Sequence, residues 1–411
     1  MDAIIIEPKK LSGNVSISGS KNASLPIICA SLLIDEVYLI NVPKIKDIML
    51  LIEILKKLNC IVYFKRNYLY INSKNIKYKP LFFEEVEKIR GSYYLIPIML
   101  YLFHKCEIAM PGGCSFDKRP IDIHLELFKN LGYKVIENNN IISILLNEKI
   151  DKLEYCLKGL SVGASINAIL ISIAFEYIVL DGLNIEPEGR DLINFLRGIG
   201  FDVMCIGRRC ITKKTIPNKL IYRYKIIPDR MEMMTFIAMG LLCGEITIKN
   251  IDINQIRYPL DVLKKSEYNI SEKKNKIVVK RSRGKAFNIE ASIYPFMPTD
   301  MQPILGILSM FSRGNGYIYD SIYPNRIQIY KELNSILDIN IIGNKVYYVG
   351  NDYHININSI ASDLRNAAGL FLYSLRCGGT IYNYKIIERG YEDFYKKIKK
   401  LGAKFTRVSK K

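Results

Sequence analysis

The segment ProGlyGlyCysSerPheAspLysArgPro (111–120) is the part of this chain best equipped for covalent chemistry. Cys114 follows two glycines, which free the backbone, and stands close to Lys118 and Arg119, whose charges favour thiolate over thiol. Pro111 and Pro120 confine any rearrangement to the residues between them, so the loop is expected to work as a lid. Cys29, Cys60, Cys106, Cys243 and Cys377 lie inside apolar runs and read instead as small core hydrophobes. The nine cysteines include no CxxC pair, and reduced thiols are expected throughout. His104, His124 and His354 lack metal-ligand spacing, so neither a metal nor another cofactor is expected.

Charge carries a second kind of chemistry. Lys21, Arg90, Arg119, Arg230, Arg326, Arg365 and Arg389 stand at or near the start of apolar or amphipathic stretches. A helix N-terminus presents unpaired N–H groups and a partial positive charge, so a cation there deepens an anion site. Guanidinium groups suit phosphate and carboxylate because they bind them bidentately. Asp122, Glu188, Asp229, Asp300 and Asp363 occupy the same kind of place. Each reads as an N-cap or, where cations keep it ionised, as a general base within reach of a substrate hydroxyl.

The elements that must position these residues repeat. Lys21, Arg90, Ser161, Asp229, Asp300 and Asp363 recur about every 70 residues, each followed by an apolar stretch such as 23–34 or 367–375. A short β-like run comes next (37–40, 245–248). A basic residue, Lys46, Arg119, Arg190, Arg257, Arg326 or Arg389, then opens an amphipathic stretch. Four of those stretches end at a Leu-Gly-like stop: Leu58-Asn59, Leu131-Gly132, Ile199-Gly200 and Leu401-Gly402. The chain therefore reads as six copies of a two-helix, multi-strand unit in an α/β protein. Three units per domain would bring the first-helix N-termini together across a cleft.

With 411 residues and 49% apolar composition, the chain can fill more than one core. The apolar stretch around 93–103 contains Pro97 and is too short to span a membrane. The first ten residues show no signal-peptide pattern, so a cytoplasmic protein without a membrane partner is expected. The net charge of +19 implies attraction for anions. Its lysines are dispersed, without a basic block or an aromatic-basic motif, and no nucleic-acid partner is expected.

The motifs as a set resemble a known family. SerGlySerLysAsnAlaSerLeuPro (18–26), ProGlyGlyCys through ArgProIleAspIleHis (111–124), SerValGlyAla (161–164), ProAspArg (228–230), ProThrAspMetGln (298–302), AsnArg (325–326), AspLeuArg (363–365) and GluArgGlyTyrGlu (388–392) occur in order. They are similar to the enolpyruvyl transferases that act on UDP-N-acetylglucosamine, over Leu11 to Arg407. The sister enzymes acting on shikimate phosphate share the fold, but Lys21-Asn22 and the Cys114 loop distinguish this chain from them. The resemblance implies a two-domain inside-out α/β barrel, with 22–227 as one domain and 1–21 plus 228–411 as the other. It also implies transfer of the enolpyruvyl group of phosphoenolpyruvate to the sugar 3′-hydroxyl, the first committed step of peptidoglycan synthesis.

By resemblance, Lys21, Arg119 and Arg389, helped by Arg326 and Arg365, hold phosphoenolpyruvate. Asn22, Arg90, Arg119, Pro120, Ile121, Asp122, Ile123, Ser161, Val162, Gly163, Asp300 and Ile322 hold the nucleotide sugar, and Asp363 belongs to the same substrate-contacting set. Asp300 takes the hydroxyl proton. Cys114 is the proton donor or product-release residue and the target of the covalent inhibitor fosfomycin. Gly159 stands where the family usually has a basic residue, and Pro324 where it commonly has an acid, both on the nucleotide-sugar side. Oligomeric state is not implied.

Overall fold

The computed structural model describes residues 2–110, 112 and 121–408. The expectations for Cys114, Arg119, Pro120 and the lid lie outside them. The chain divides into a terminal unit, described over 2–18 and 228–408, and a middle unit, described over 19–110, 112 and 121–227. Lys21 and Asn22 both fall in the middle unit.

Each recurring anchor opens an inner helix, caps it or lies in a 3₁₀ turn just before it: Lys21–Ala30, Leu95–Phe103, Val162–Ser172, Arg230–Cys243, Gln302–Met310 and Leu364–Cys377. These segments are apolar almost all round, so they can only be stable wrapped on every side. All residues of Arg230–Cys243 and of Gln302–Met310 are buried. In the terminal unit the three inner helices pack on one another. The outer helices are amphipathic instead. In Pro187–Ile199 the exposed residues Arg190, Asn194 and Arg197 form a solvent stripe, while Leu192, Phe195, Leu196 and Ile199 face the core.

The expected Leu-Gly-like stops are helix ends. Gly132, Gly200 and Gly402, and also Asn59, take the left-handed backbone that terminates a helix. Placing the basic residues at the helix openings holds only partly. Lys46 and Arg257 do open helices, but Arg190 sits fourth in its helix and faces solvent. Arg326 lies in a 3₁₀ turn before Gln328–Leu333, and Arg389 ends a 3₁₀ turn before Phe394–Lys400.

The described residues form six sheets, five of four strands and one of three. The four-stranded sheets share one order. In the third repeat, Lys152–Cys156 runs parallel to Tyr177–Asp181, which pairs antiparallel with Arg209–Lys213 of a hairpin begun by Asp202–Ile206. In the second repeat the parallel partner shrinks to the single bridge Leu81↔Ile108. The outer faces of the sheets are solvated, giving the expected helices-in, sheets-out arrangement, with separate sheets rather than one closed wall.

Distant segments close each unit. Ile221–Lys225, after the third repeat, pairs parallel with Glu36–Ile40 of the first. In the terminal unit Leu11–Ser16 pairs with Gly244–Lys249, and Ala3–Glu7 inserts between Gly379–Tyr382 and Lys404–Val408.

A buried carboxylate holds each end of the crossing between units. The Ser18 N–H donates to Glu232 Oε2 at 3.0 Å, and Lys397 Nζ, ion-paired with Glu232, donates to Ser18 Oγ at 2.6 Å. In the middle unit the Ile227 N–H donates to Asp191 Oδ2 at 3.2 Å, and the Ser20 N–H donates to the Ile227 carbonyl at 2.8 Å.

One expectation about the thiols is corrected. Cys205 and Cys210 face each other across the Asp202–Ile206/Arg209–Lys213 hairpin and are joined as a disulfide. Their antiparallel register puts the two side chains on the same face. Cys29, Cys60, Cys106, Cys243 and Cys377 are buried as expected, whereas Cys156 is exposed.

Candidate active site

In the middle unit, the N-terminus of Lys21–Ala30 is capped by Ser20, whose hydroxyl accepts from Ala23 N at 3.3 Å. Lys21, the first residue of that helix, is a sixth exposed and sits 2.7 Å from Asp47 Oδ2 in the first turn of the next helix. Asp47 was not anticipated as a partner. Asn22 follows in the first turn, partly exposed. Arg90 opens a 3₁₀ turn, with its guanidinium carbon 5.7 Å from the Tyr93 ring centroid.

Ser161 caps Val162–Ser172 by accepting from Ala164 N at 3.1 Å, and it leaves Val162 and Gly163 partly exposed at the helix mouth. A side chain at Gly163 would meet Tyr93 Oη at 2.5 Å, so glycine is required for this close approach. Asp122 opens its helix exposed to solvent, between buried Ile121 and partly buried Ile123.

The terminal unit carries the densest charge. Asp300 lies in a 3₁₀ turn ahead of Gln302–Met310, so the expectation that it might be a helix N-cap does not hold. Its Oδ1 accepts from Arg326 NH1. Its Oδ2 accepts from Arg365 Nε at 3.1 Å and NH2 at 2.8 Å. Arg326 is 5% exposed and Arg365 8%, so both guanidinium groups are taken from water and share the single Asp300 carboxylate, which offsets one of their two charges. Burial alone would disfavour the Arg365 charge, but Asp300, Tyr391 and Asp229 together more than reverse this and raise its pKa. Arg365 NH1 also reaches Tyr391 Oη at 3.4 Å.

Asp229 and Asp363 do serve as N-caps. Asp229 Oδ1 accepts from Met231 N and Glu232 N, and Asp363 Oδ1 accepts from Arg365 N and Asn366 N. Asp363 thereby fixes the turn that aims Arg365. Arg230, expected among the converging cations, is fully buried beside the Tyr294 ring. Arg389 is partly exposed at the end of its turn.

Asp320 escaped sequence reasoning. It is fully buried and accepts from Thr299 Oγ1 at 2.5 Å, Ile322 N at 3.0 Å and Tyr323 N at 2.8 Å. One carboxylate thus ties the Asp300 turn to the segment carrying Ile322 and Arg326. The only available signal was an acid at the end of a strand, immediately before a turn.

The two charged sets, one per unit, can each bind an anion, and the terminal-unit set holds a carboxylate among cations. The sequence profile of the family described as EPSP synthase (3-phosphoshikimate 1-carboxyvinyltransferase) matches residues 5–398. This chain belongs to that family.

Within it, the UDP-N-acetylglucosamine 1-carboxyvinyltransferase of Pelagibacter ubique is 35% identical over 414 residues, covering 97% of this chain and 98% of that one. The enzyme of the same name from Buchnera aphidicola subsp. Schizaphis graminum is 34% identical, covering 98% and 99%. The enolpyruvyl transferase NikO from Streptomyces tendae shares the fold with a TM-score of 0.91 at 20% identity, covering 100% of this chain and 99% of that chain. EPSP synthase from Acinetobacter baumannii superposes with a TM-score of 0.78 at 15% identity over the whole of both chains. No helix among the described residues is long and apolar enough to cross a membrane.

Proposed function

We propose that this carboxyvinyltransferase moves the enolpyruvyl group of phosphoenolpyruvate onto the 3′-hydroxyl of UDP-N-acetylglucosamine and releases phosphate. This reaction commits the sugar to the cell wall, and a cytoplasmic location suits its soluble substrates. The observation that carries the chemistry is Asp300 held between the buried guanidinium groups of Arg326 and Arg365. The acceptor follows from the relatives' names and from the Lys21-Asn22 and Cys114 motifs.

Lys21, Arg119 and Arg389 take the phosphate and carboxylate of phosphoenolpyruvate, with Arg326 and Arg365 assisting. Asn22, Arg90, Arg119, Pro120, Ile121, Asp122, Ile123, Ser161, Val162, Gly163, Asp300, Ile322 and Asp363 line the nucleotide sugar. A carboxylate gripped by two guanidinium groups is a poor base, because both contacts stabilise its charged form. When the substrate's own anionic groups engage the arginines, Asp300 is freed to accept the hydroxyl proton. Ground-state neutralisation of the arginines and delivery of the base are then coupled.

The sugar oxygen adds to C2 of phosphoenolpyruvate while C3 takes a proton, giving a tetrahedral phospho-ketal. Loss of a C3 proton and of the C2–O bond to phosphate restores the double bond. Cys114 supplies the proton or assists product release, and fosfomycin alkylates it.

Phosphate release from phosphoenolpyruvate tests this reading. It should require UDP-N-acetylglucosamine and should not occur with shikimate 3-phosphate. Turnover with the shikimate acceptor instead would reassign the chain within its family.

A further inference from the structure

Three segments assigned above to the nucleotide sugar are Arg90, Ile121–Ile123 and Ser161–Gly163. They lie on separate elements of the middle unit, yet one buried polar group joins them. Asn167, inside the Val162–Ser172 helix, is fully buried. Its Nδ2 lies 3.0 Å from His124 Nδ1, on the first turn of Asp122–Asn130, and 3.4 Å from the carbonyl oxygen of Tyr93 in the Arg90 turn.

The Tyr93 carbonyl can only accept, so the atom facing it is the amide nitrogen. His124 Nδ1 then accepts from the same group, and the ring proton sits on Nε2. The Tyr93 and His124 rings are 4.5 Å apart, and both abut Gly163, where a side chain would lie 2.5 Å from Tyr93 Oη and 3.1 Å from His124 Cε1. Burial, aided by Arg90, pushes the His124 pKa down to about 3. The ring is therefore neutral at any working pH and does not compete with Arg90 for an anion.

Asn167 Oδ1 is buried without a hydrogen-bond partner among the described residues. Such an unmet acceptor costs stability, although Nδ2 satisfies the Tyr93 carbonyl and His124 Nδ1. The unmet oxygen is a cost that packing alone leaves unexplained.

We propose that Asn167 is a positioning residue that acts through His124 to set the mutual spacing of Arg90, Ile121–Ile123 and Ser161–Gly163 for the nucleotide sugar. The proposal rests on the acceptor assignment above. Asn167 touches no substrate itself. It fixes the ring against which the Arg90 turn and the mouth of the Ser161-capped helix are packed.

The test uses the full chain with three variants. Asn167→Ala removes the amide, His124→Phe keeps ring packing but loses the acceptor, and His124→Asn keeps an acceptor near the place of Nδ1. KM for UDP-N-acetylglucosamine should rise about tenfold to a hundredfold in Asn167→Ala and His124→Phe. His124→Asn should recover most of the loss. The KM for phosphoenolpyruvate and the saturating kcat should stay within about twofold, since the reacting groups are untouched. Calorimetric titration of each folded variant with the nucleotide sugar alone should follow the KM changes.

Wild-type affinity in Asn167→Ala and His124→Phe, even with lowered Tm, would reduce the hub to a structural role and overturn the proposal. So would a fall in kcat with KM unchanged. Titration of the wild-type protein separates the two readings. If it does not bind the nucleotide sugar, the acceptor assignment falls and takes the proposal with it. If it binds but the variants match it, the proposal alone falls.

Discussion

Asp300→Asn removes the one negative charge shared by two buried guanidinium groups while preserving shape. Breaking a buried ion pair from one side costs about 3–5 kcal/mol. The Asp300 side chain is 25% exposed, and water at its open edge will recover part of that, leaving about 1–3 kcal/mol. For a unit of this size, each kcal/mol lowers Tm by about 2–4 °C, so melting should drop by several degrees.

The stand-in role makes a sharper prediction. In the wild type an incoming anion must displace Asp300, whereas in Asp300→Asn it meets two unneutralised arginines. Inorganic phosphate or phosphoenolpyruvate should therefore raise Tm more in the variant than in the wild type. Ligand at a hundredfold its Kd contributes about 2.7 kcal/mol, enough to restore most of the loss. Turnover should fall about 10²–10⁴-fold, while UDP-N-acetylglucosamine binding stays nearly intact. Differential scanning calorimetry with and without phosphate, alongside steady-state rates, measures all of this. An unchanged Tm together with equal phosphate shifts would refute the reasoning.

Other outcomes follow from the same geometry. Arg389→Lys should not restore catalytic efficiency relative to Arg389→Ala, because a point charge does not reproduce a planar fork; full activity in the lysine variant would refute bidentate binding. Burial pushes the Asp191 carboxyl up to about 6 from 3.8, even though the Tyr224 hydroxyl and Ile227 N–H favour its charge. Stability from the protonated form is complete below pH 3.8 and is lost as pH rises through 6, at most about 3 kcal/mol. Between pH 5 and 7.5 the wild type should accordingly lose more Tm than Asp191→Asn, and equal slopes would contradict this. A general thiol reagent should label exposed Cys156 as well as Cys114 and spare Cys60 and Cys243, whose thiols burial pushes up to about 12. Fosfomycin with UDP-N-acetylglucosamine should modify Cys114 alone, with activity lost in parallel, and peptide mapping distinguishes the two patterns.

The inner helices were legible because an all-round apolar stretch has no other soluble solution. The helix ends at Gly200 and Gly402 were legible because their left-handed backbone leaves a residue signature. Closure of each unit was not. Nothing in 221–225 announces a parallel partner at 36–40, since pairing at that separation depends on the assembled helices. The same limit applied to charge. Asp300 and Arg365 both stood out in the sequence, yet their mutual contact spans 65 positions and emerges only from the fold. Arg326 was expected to open an amphipathic helix and instead lies in a 3₁₀ turn, buried against Asp300. Asp320 and Asn167 left no periodic trace, because each acts through a contact unique to its repeat. The Cys205–Cys210 pair depends on hairpin register, which cysteine counting does not supply.

The central claim is that the enolpyruvyl group is transferred by addition and elimination at C2, breaking the carbon–oxygen bond of phosphoenolpyruvate. Phosphoenolpyruvate labelled with heavy oxygen at the position bridging C2 and phosphorus tests it directly in the presence of UDP-N-acetylglucosamine. The account predicts that the label leaves entirely in inorganic phosphate, while the nucleotide sugar gains an unlabelled ether oxygen from its own hydroxyl. Label retained on the three-carbon product would mean phosphorus–oxygen cleavage, and would contradict the carboxyvinyl transfer on which the account rests.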